Sequence, residues 1–189
     1  MSNMKSAYER AMEKIQKLGD ATDEEKLSWK WIPEGKRLAA EFVKNNINLK
    51  NELKKYEDKP RRYVTKGIQE VLAANILLPK TETAIRNVDK ALEGLKQVHG
   101  SKMDKLAERV KYVATQYIQY ATQQQKQAYE QLKEQVEGMM RQQGGVPKGA
   151  QVNVEAMPEF QREWMRIVAE IEKPFEEHLE TFKKEILAL

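Results

Sequence analysis

The sequence predicts an all-α protein of five or six helices, on three observations. Lys, Glu, Gln, Ala and Leu dominate the 189 residues while aromatics make up 7%, a mix suited to long amphipathic helices with solvated outer faces. Apolar residues step by threes and fours through most of the chain, the period of one helix face. Residues 102–142 hold no Pro and a single Gly, Gly138, enough for a rod of roughly 60 Å. The last two helices are expected to form a long antiparallel, coiled-coil-like hairpin over residues 101–189, with its loop at about 143–157. This hairpin packs on an N-terminal helical body, residues 1–100, in one continuous fold.

Asn3 or Ser6 caps a first helix, whose stripe runs through Met4, Ala7, Ala11, Ile15 and Leu18 and stops at Gly19. Thr22 caps a second, with Asp23, Glu24 and Glu25 at its positive end. That helix runs to about Lys44 and contains the stretch SWKWIPEGKR, residues 28–37. Leu27, Trp31, Gly35, Leu38 and Phe42 share one stripe, and Gly35 leaves room for a neighbouring helix. Trp29 lies about 200° from Trp31 around a helix. A continuous helix bent at Pro33 is favoured over one that begins there. Trp31 is then core, and Trp29 is a candidate partner contact.

Leu49, Leu53 and Tyr56 predict a short helix, broken before Pro60. Pro60 opens the next helix, whose buried face is Val64, Ile68, Val71, Leu72 and Ile76. Thr81 caps a helix with Ile85, Val88, Leu92, Leu95 and His99 on one stripe, closed at Gly100. The longest helix follows, with Met103, Leu106, Val110, Val113, Tyr117 and Tyr120 as a seam. The run QQQKQ at 123–127 interrupts that seam, which resumes one position out of step at Ala128, Leu132, Val136 and Met139. Residues 144–149, GGVPKG, form the clearest loop. Val152 and Val154 predict a short extended segment. Pro158 opens a last helix, which carries Pro174 inside a stripe reaching Leu189. Folding back about the loop sets Pro174 level with Lys126, so a break is predicted there.

Composition narrows the function. Hydrophobic residues make up 40% and charged residues 33%, with mean hydropathy −0.77. The chain is too apolar and too periodic for disorder. Cysteine is absent, which removes disulfides, thiolate metal sites and a Cys nucleophile. No stretch approaches the roughly 20 apolar residues of a membrane span, and the first residues do not read as a signal peptide. The expected location is cytoplasmic.

The net charge is +4, distributed unevenly. Residues 44–66 carry eight Lys/Arg against three Asp/Glu, and residues 155–189 carry five against nine. Either these segments attract each other or a second copy, or the basic one takes a polyanion. Lys50, Lys54, Lys55, Lys59, Arg61, Arg62 and Lys66 flank Tyr56 and Tyr63, a pattern that contacts phosphate and stacks bases. No RNP, zinc-finger or helix-turn-helix signature accompanies it, so a solvated corner around Pro60 is favoured. Met139 and Met140 are further partner-contact candidates, with core filling as the equal alternative.

Catalytic groupings are missing. His99 and His178 lack the Glu-x-x-His and His-x₃-His spacings of metal sites, and residues 144–149 lack the Gly-Lys-Ser/Thr ending of a phosphate loop. No metal, cofactor or catalytic residue is expected. One resemblance is present. KSAYERAMEKIQKLGDATDEE at residues 5–25, followed by IPEGKRLAAEF, resembles the opening of a group of uncharacterised bacterial proteins. It implies a helical protein and no activity. The expected function is a non-enzymatic helical scaffold or adaptor binding a protein partner, its own copy included. A nucleic-acid accessory protein using residues 50–66 and a small-molecule-binding bundle are the alternatives.

Overall fold

In the computed structural model, residues 22–142 and 153–189 are described, and every regular element among them is helical. The expected first helix and most of the hairpin loop lie outside the described residues. The elements are α1 (Asp23–Asn45), α2 (Leu49–Leu53), α3 (Asp58–Ala74) and α4 (Glu82–His99), then a 3₁₀ turn (Gly100–Met103) and α5 (Asp104–Gln116). A π-helical turn (Tyr117–Ala121), α6 (Thr122–Gln142), a 3₁₀ turn (Val154–Ala156) and α7 (Pro158–Leu187) complete the order. The all-α expectation holds.

Local chemistry sets the helix ends. Thr22 and Glu25 form a reciprocal capping box at the start of α1: the Glu25 N–H donates to Thr22 Oγ1 (3.2 Å) and the Thr22 N–H to Glu25 Oε2 (2.8 Å). Asn46 ends α1 in the left-handed conformation, φ 56°, with its N–H on the Phe42 carbonyl. Pro33 lies inside α1, so the helix is continuous, as expected. At Thr81, Oγ1 accepts the Ala84 N–H (3.1 Å) and caps α4. Gly100 takes φ +61° where α4 closes, a conformation that Gly adopts without strain. Of the extended segment expected at Val152 and Val154, Val152 lies outside the described residues and Val154 is not extended. It opens a 3₁₀ turn, and its buried side chain faces the core.

Backbone contacts divide the chain into two compact units, Met1–Asn75 with Lys90–Ser101, and Ile76–Asp89 with Lys102–Leu189. In the first, α1 and α3 cross where both carry glycine. A Cβ on Gly35 would stand 2.0 Å from the Val64 carbonyl oxygen, and one on Gly67 would stand 2.2 Å from that of Ile32. The room expected at Gly35 is filled by backbone. Leu38, Phe42, Val64, Ile68 and Leu72 are buried, and Gly94 lets Leu72 and Phe42 approach α4.

In the second unit, α5, the π turn and α6 run antiparallel to α7. Arg109 pairs with Glu185 (2.6 Å), Tyr117 meets the Phe175 ring edge-on (5.6 Å), and Lys133 reaches Glu155 (3.0 Å). Pro174 therefore stands level with the π turn and not, as the sequence predicted, with Lys126. Residues 123–127 are regular helix. A π turn accommodates one extra residue in the helix, which explains why the apolar stripe resumes one position late. Beyond it Leu132, Val154 and Phe160 form a cluster with Tyr129, Trp164 and Ile167 around them.

Candidate functional site

The residues singled out from sequence are dispersed. Trp29 is 50% exposed, while Trp31 is half-buried and meets Tyr56 edge-on at 5.6 Å. Tyr56 donates its hydroxyl to Glu34 (2.8 Å), and Arg37 holds the same carboxylate (2.6 Å). These bonds, from Arg37 first and Tyr56 second, depress the Glu34 carboxyl to about 2. Burial, with Glu34 beside it, raises the Tyr56 hydroxyl to about 12. Arg61 turns inward and donates to the Leu53 and Tyr56 carbonyls (3.1 and 2.7 Å). Lys55 pairs with Glu52. Two of the basic segment's residues, Tyr56 and Arg61, thus serve the corner itself. Lys50, Lys54, Lys59, Arg62 and Lys66 are exposed, with no ion pair among the described residues, and Tyr63 is half-buried. Met139 is 47% exposed, whereas Met140 packs against the Leu132 cluster.

The group of residues with the strongest chemistry in the second unit was not singled out from sequence as a site. Glu172 is 6% exposed, a carboxylate on the inner face of α7. Oε2 accepts from Lys80 Nζ at 2.6 Å, and Oε1 accepts from the Tyr117 hydroxyl at 2.9 Å and from Gln125 Nε2 at 3.3 Å. Burial alone would raise its pKa. The bonds from Lys80 and Tyr117 with the Lys80 charge, and then Gln125, outweigh that and hold it below the ordinary carboxylate value. Burial and the neighbouring carboxylate push Tyr117 up to about 12. So Glu172 is an ionised acceptor, poorly suited to take a proton at neutral pH.

Local structure explains how this group assembles. Lys80 lies in the non-helical segment before α4. Tyr117 is the first residue of the π turn, buried at 5% exposure. Gln125 is the half-buried member of the polar run 123–127. A cavity of about 380 Å³ opens above Glu172, walled by Pro79, Ile85 and Ile118, with Thr81 and Thr122 at its rim. A second, apolar hollow of about 310 Å³ lies between Tyr129, Phe160, Trp164 and Met165. No group of three or more metal-ligating side chains occurs among the described residues, and no described helix is long and apolar enough to cross a membrane.

Residues 50–188 match a family of unknown function (DUF6657). The chain belongs to this family. No curated protein and no solved structure matches the chain. The DUF6657 region contains Lys80, Tyr117, Gln125, Glu172 and the whole basic segment. It leaves out Trp29 and residues 5–25, on which the resemblance to uncharacterised proteins rested.

The sequence carries only indirect signals for Glu172: Tyr117 falls on the apolar seam, Gln125 in the polar run that interrupts it, and Lys80 just before the Thr81 cap. A carboxylate one residue beyond Ile171 on an apolar stripe, two before a proline, was the nearest clue.

Proposed function

We propose that this member of DUF6657 is a non-enzymatic helical scaffold whose partner is a second copy of the chain. The observation that carries this reading is the outward display of large side chains by helices whose inner faces are already filled. Tyr112, Tyr120 and Met165 are 65%, 55% and 63% exposed, and Trp29 is 50%. Such residues dominate the energetics of protein interfaces. Charge favours a like partner. Lys50, Lys54, Lys59, Arg62 and Lys66 are exposed and make no ion pair among the described residues, and the C-terminal helix is net acidic.

Light scattering at increasing protein concentration tests this. The expected result is a mass above 22.0 kDa at low salt, reduced by Tyr112→Ser with Tyr120→Ser and by about 0.5 M salt. A mass that stays monomeric to several hundred micromolar overturns the reading. Titration with generic DNA and RNA at low salt tests the alternative. Tight, steeply salt-dependent binding lost on Lys54→Ala with Arg62→Ala would replace the scaffold reading with a nucleic-acid one.

A further inference from the structure

We propose that the cavity above Glu172 is a binding site for a small amphipathic amine, whose ammonium takes the place of Lys80 on the buried carboxylate. Four observations meet there.

A carboxylate taken out of water is costly unless a positive charge and hydrogen bonds accompany it, and an apolar residue in its place is often as stable or more so. Glu172 has two neutral donors, Tyr117 and Gln125, both on helical backbone. Among the described residues its cation is Lys80, whose side chain is 51% exposed and whose backbone belongs to no helix. The buried helical part of the site therefore holds the negative charge, and a half-exposed side chain outside the helices supplies the positive one.

The walls suit an organic cation. Ile85 and Ile118 are 37% and 43% exposed at the cavity. A short alkyl group seated between them would remove that surface from water. Glu172 and Glu82 line the cavity with Lys80, and Glu82 also pairs with Arg86 (3.9 Å). An ammonium that displaces Lys80 keeps the buried carboxylate paired, whereas an anion would face it. The volume, about 380 Å³, falls at the lower end of the roughly 300–1,000 Å³ usual for small-molecule sites.

The backbone beside the cavity is π-helical over Tyr117–Ala121. Such turns occur rarely, and often at functional sites. Here the turn buries Tyr117 on Glu172 and leaves Ile118, the next residue, in the cavity wall.

The probes are isopentylamine, which is cationic at pH 7, its neutral counterpart isopentanol and its anionic counterpart isovalerate, each titrated into the full chain and followed by amide chemical shifts. Isopentylammonium is expected to saturate and to shift the amides of Ile85, Ile118 and Gln125. The alcohol and the acid are expected to be at least about tenfold weaker. Lys80→Ala removes the competing ammonium and should tighten the amine at least about tenfold. Glu172→Gln should abolish saturation, and Tyr117→Phe, which keeps the carboxylate, should weaken it severalfold, so one variant remains if the other does not fold. Equal binding of amine and alcohol, no saturation by wild type up to about 50 mM, or rescue of Lys80→Ala alone without binding to wild type each overturns the proposal. In the last case Lys80–Glu172 is a structural pair. The self-association reading is tested separately by mass, so either can fail without the other.

Discussion

At Gly35 and Gly67 one methyl group separates a folded helix pair from a clash. The atoms it would meet are carbonyl oxygens of the facing backbone, 2.0 and 2.2 Å away, which cannot rotate aside as a side chain can. Gly35→Ala is expected to cost about 3 kcal/mol, the upper end of overpacking, as read by urea unfolding. Gly138 has nothing within 4 Å of a built Cβ, so Gly138→Ala should stabilise by about 0.5–1 kcal/mol through helix propensity alone. The two tryptophans divide in the same way. Trp31 is half-buried against the Tyr56 edge, and its loss to Ala should cost roughly 1–3 kcal/mol. Trp29→Ala should cost under about 0.5 kcal/mol and, on the proposed function, lower the self-associated mass. A larger folding loss at Trp29 than at Trp31 would reverse their roles.

On the scale of elements, the π turn decides which side of the long rod is core. Tyr117 and Ala121 are buried and residues 118–120 are exposed. Deleting Gln119 would convert the turn to ordinary helix while leaving Leu132 and its cluster in phase. That variant is expected to keep its helical circular dichroism and lose little stability. Deleting Lys126 would rotate everything beyond it by about 100° and turn Leu132 away from Val154 and Phe160. Its melting temperature should fall well below that of the Gln119 deletion, and equal losses would show that the turn carries no register. The sequence had displayed the phase shift in its apolar stripe. It did not show where the extra residue was absorbed, because the glutamine run was the more conspicuous interruption.

Across the whole molecule, stability should depend on pH at both extremes. Glu34 is held at about 2, and Glu172 and Glu25 are also depressed. Their contribution is complete above the ordinary carboxylate value and is lost as pH falls from about 4.5 through the folded-state values. Urea midpoints at pH 6 and pH 3 should differ, and Glu34→Gln should shrink that difference. At high pH the sign reverses in origin. Tyr56 and Tyr117 are raised from 10.0 to about 12, so the unfolded chain releases those protons first and stability falls between pH 10 and 12. Flat midpoints across both windows would remove these groups from the account.

What the sequence by itself determined was local: the cap at Thr22, the end of that helix near Lys44, Pro33 inside a continuous helix, the apolar faces, and room for a neighbour at Gly35. Each rests on contacts within a few residues, where helix period and capping chemistry are decisive. Tertiary structure alone decided the register of α7 on the rod, the placing of Pro174 beside the π turn, and the inward use of Tyr56 and Arg61. It also decided the site. Lys80 and Glu172 stand 92 residues apart, and Tyr117 and Glu172 stand 55 apart, so no periodicity links them. Whether a glutamate on a helix is solvated or buried depends on what packs against it, and that is a property of the fold.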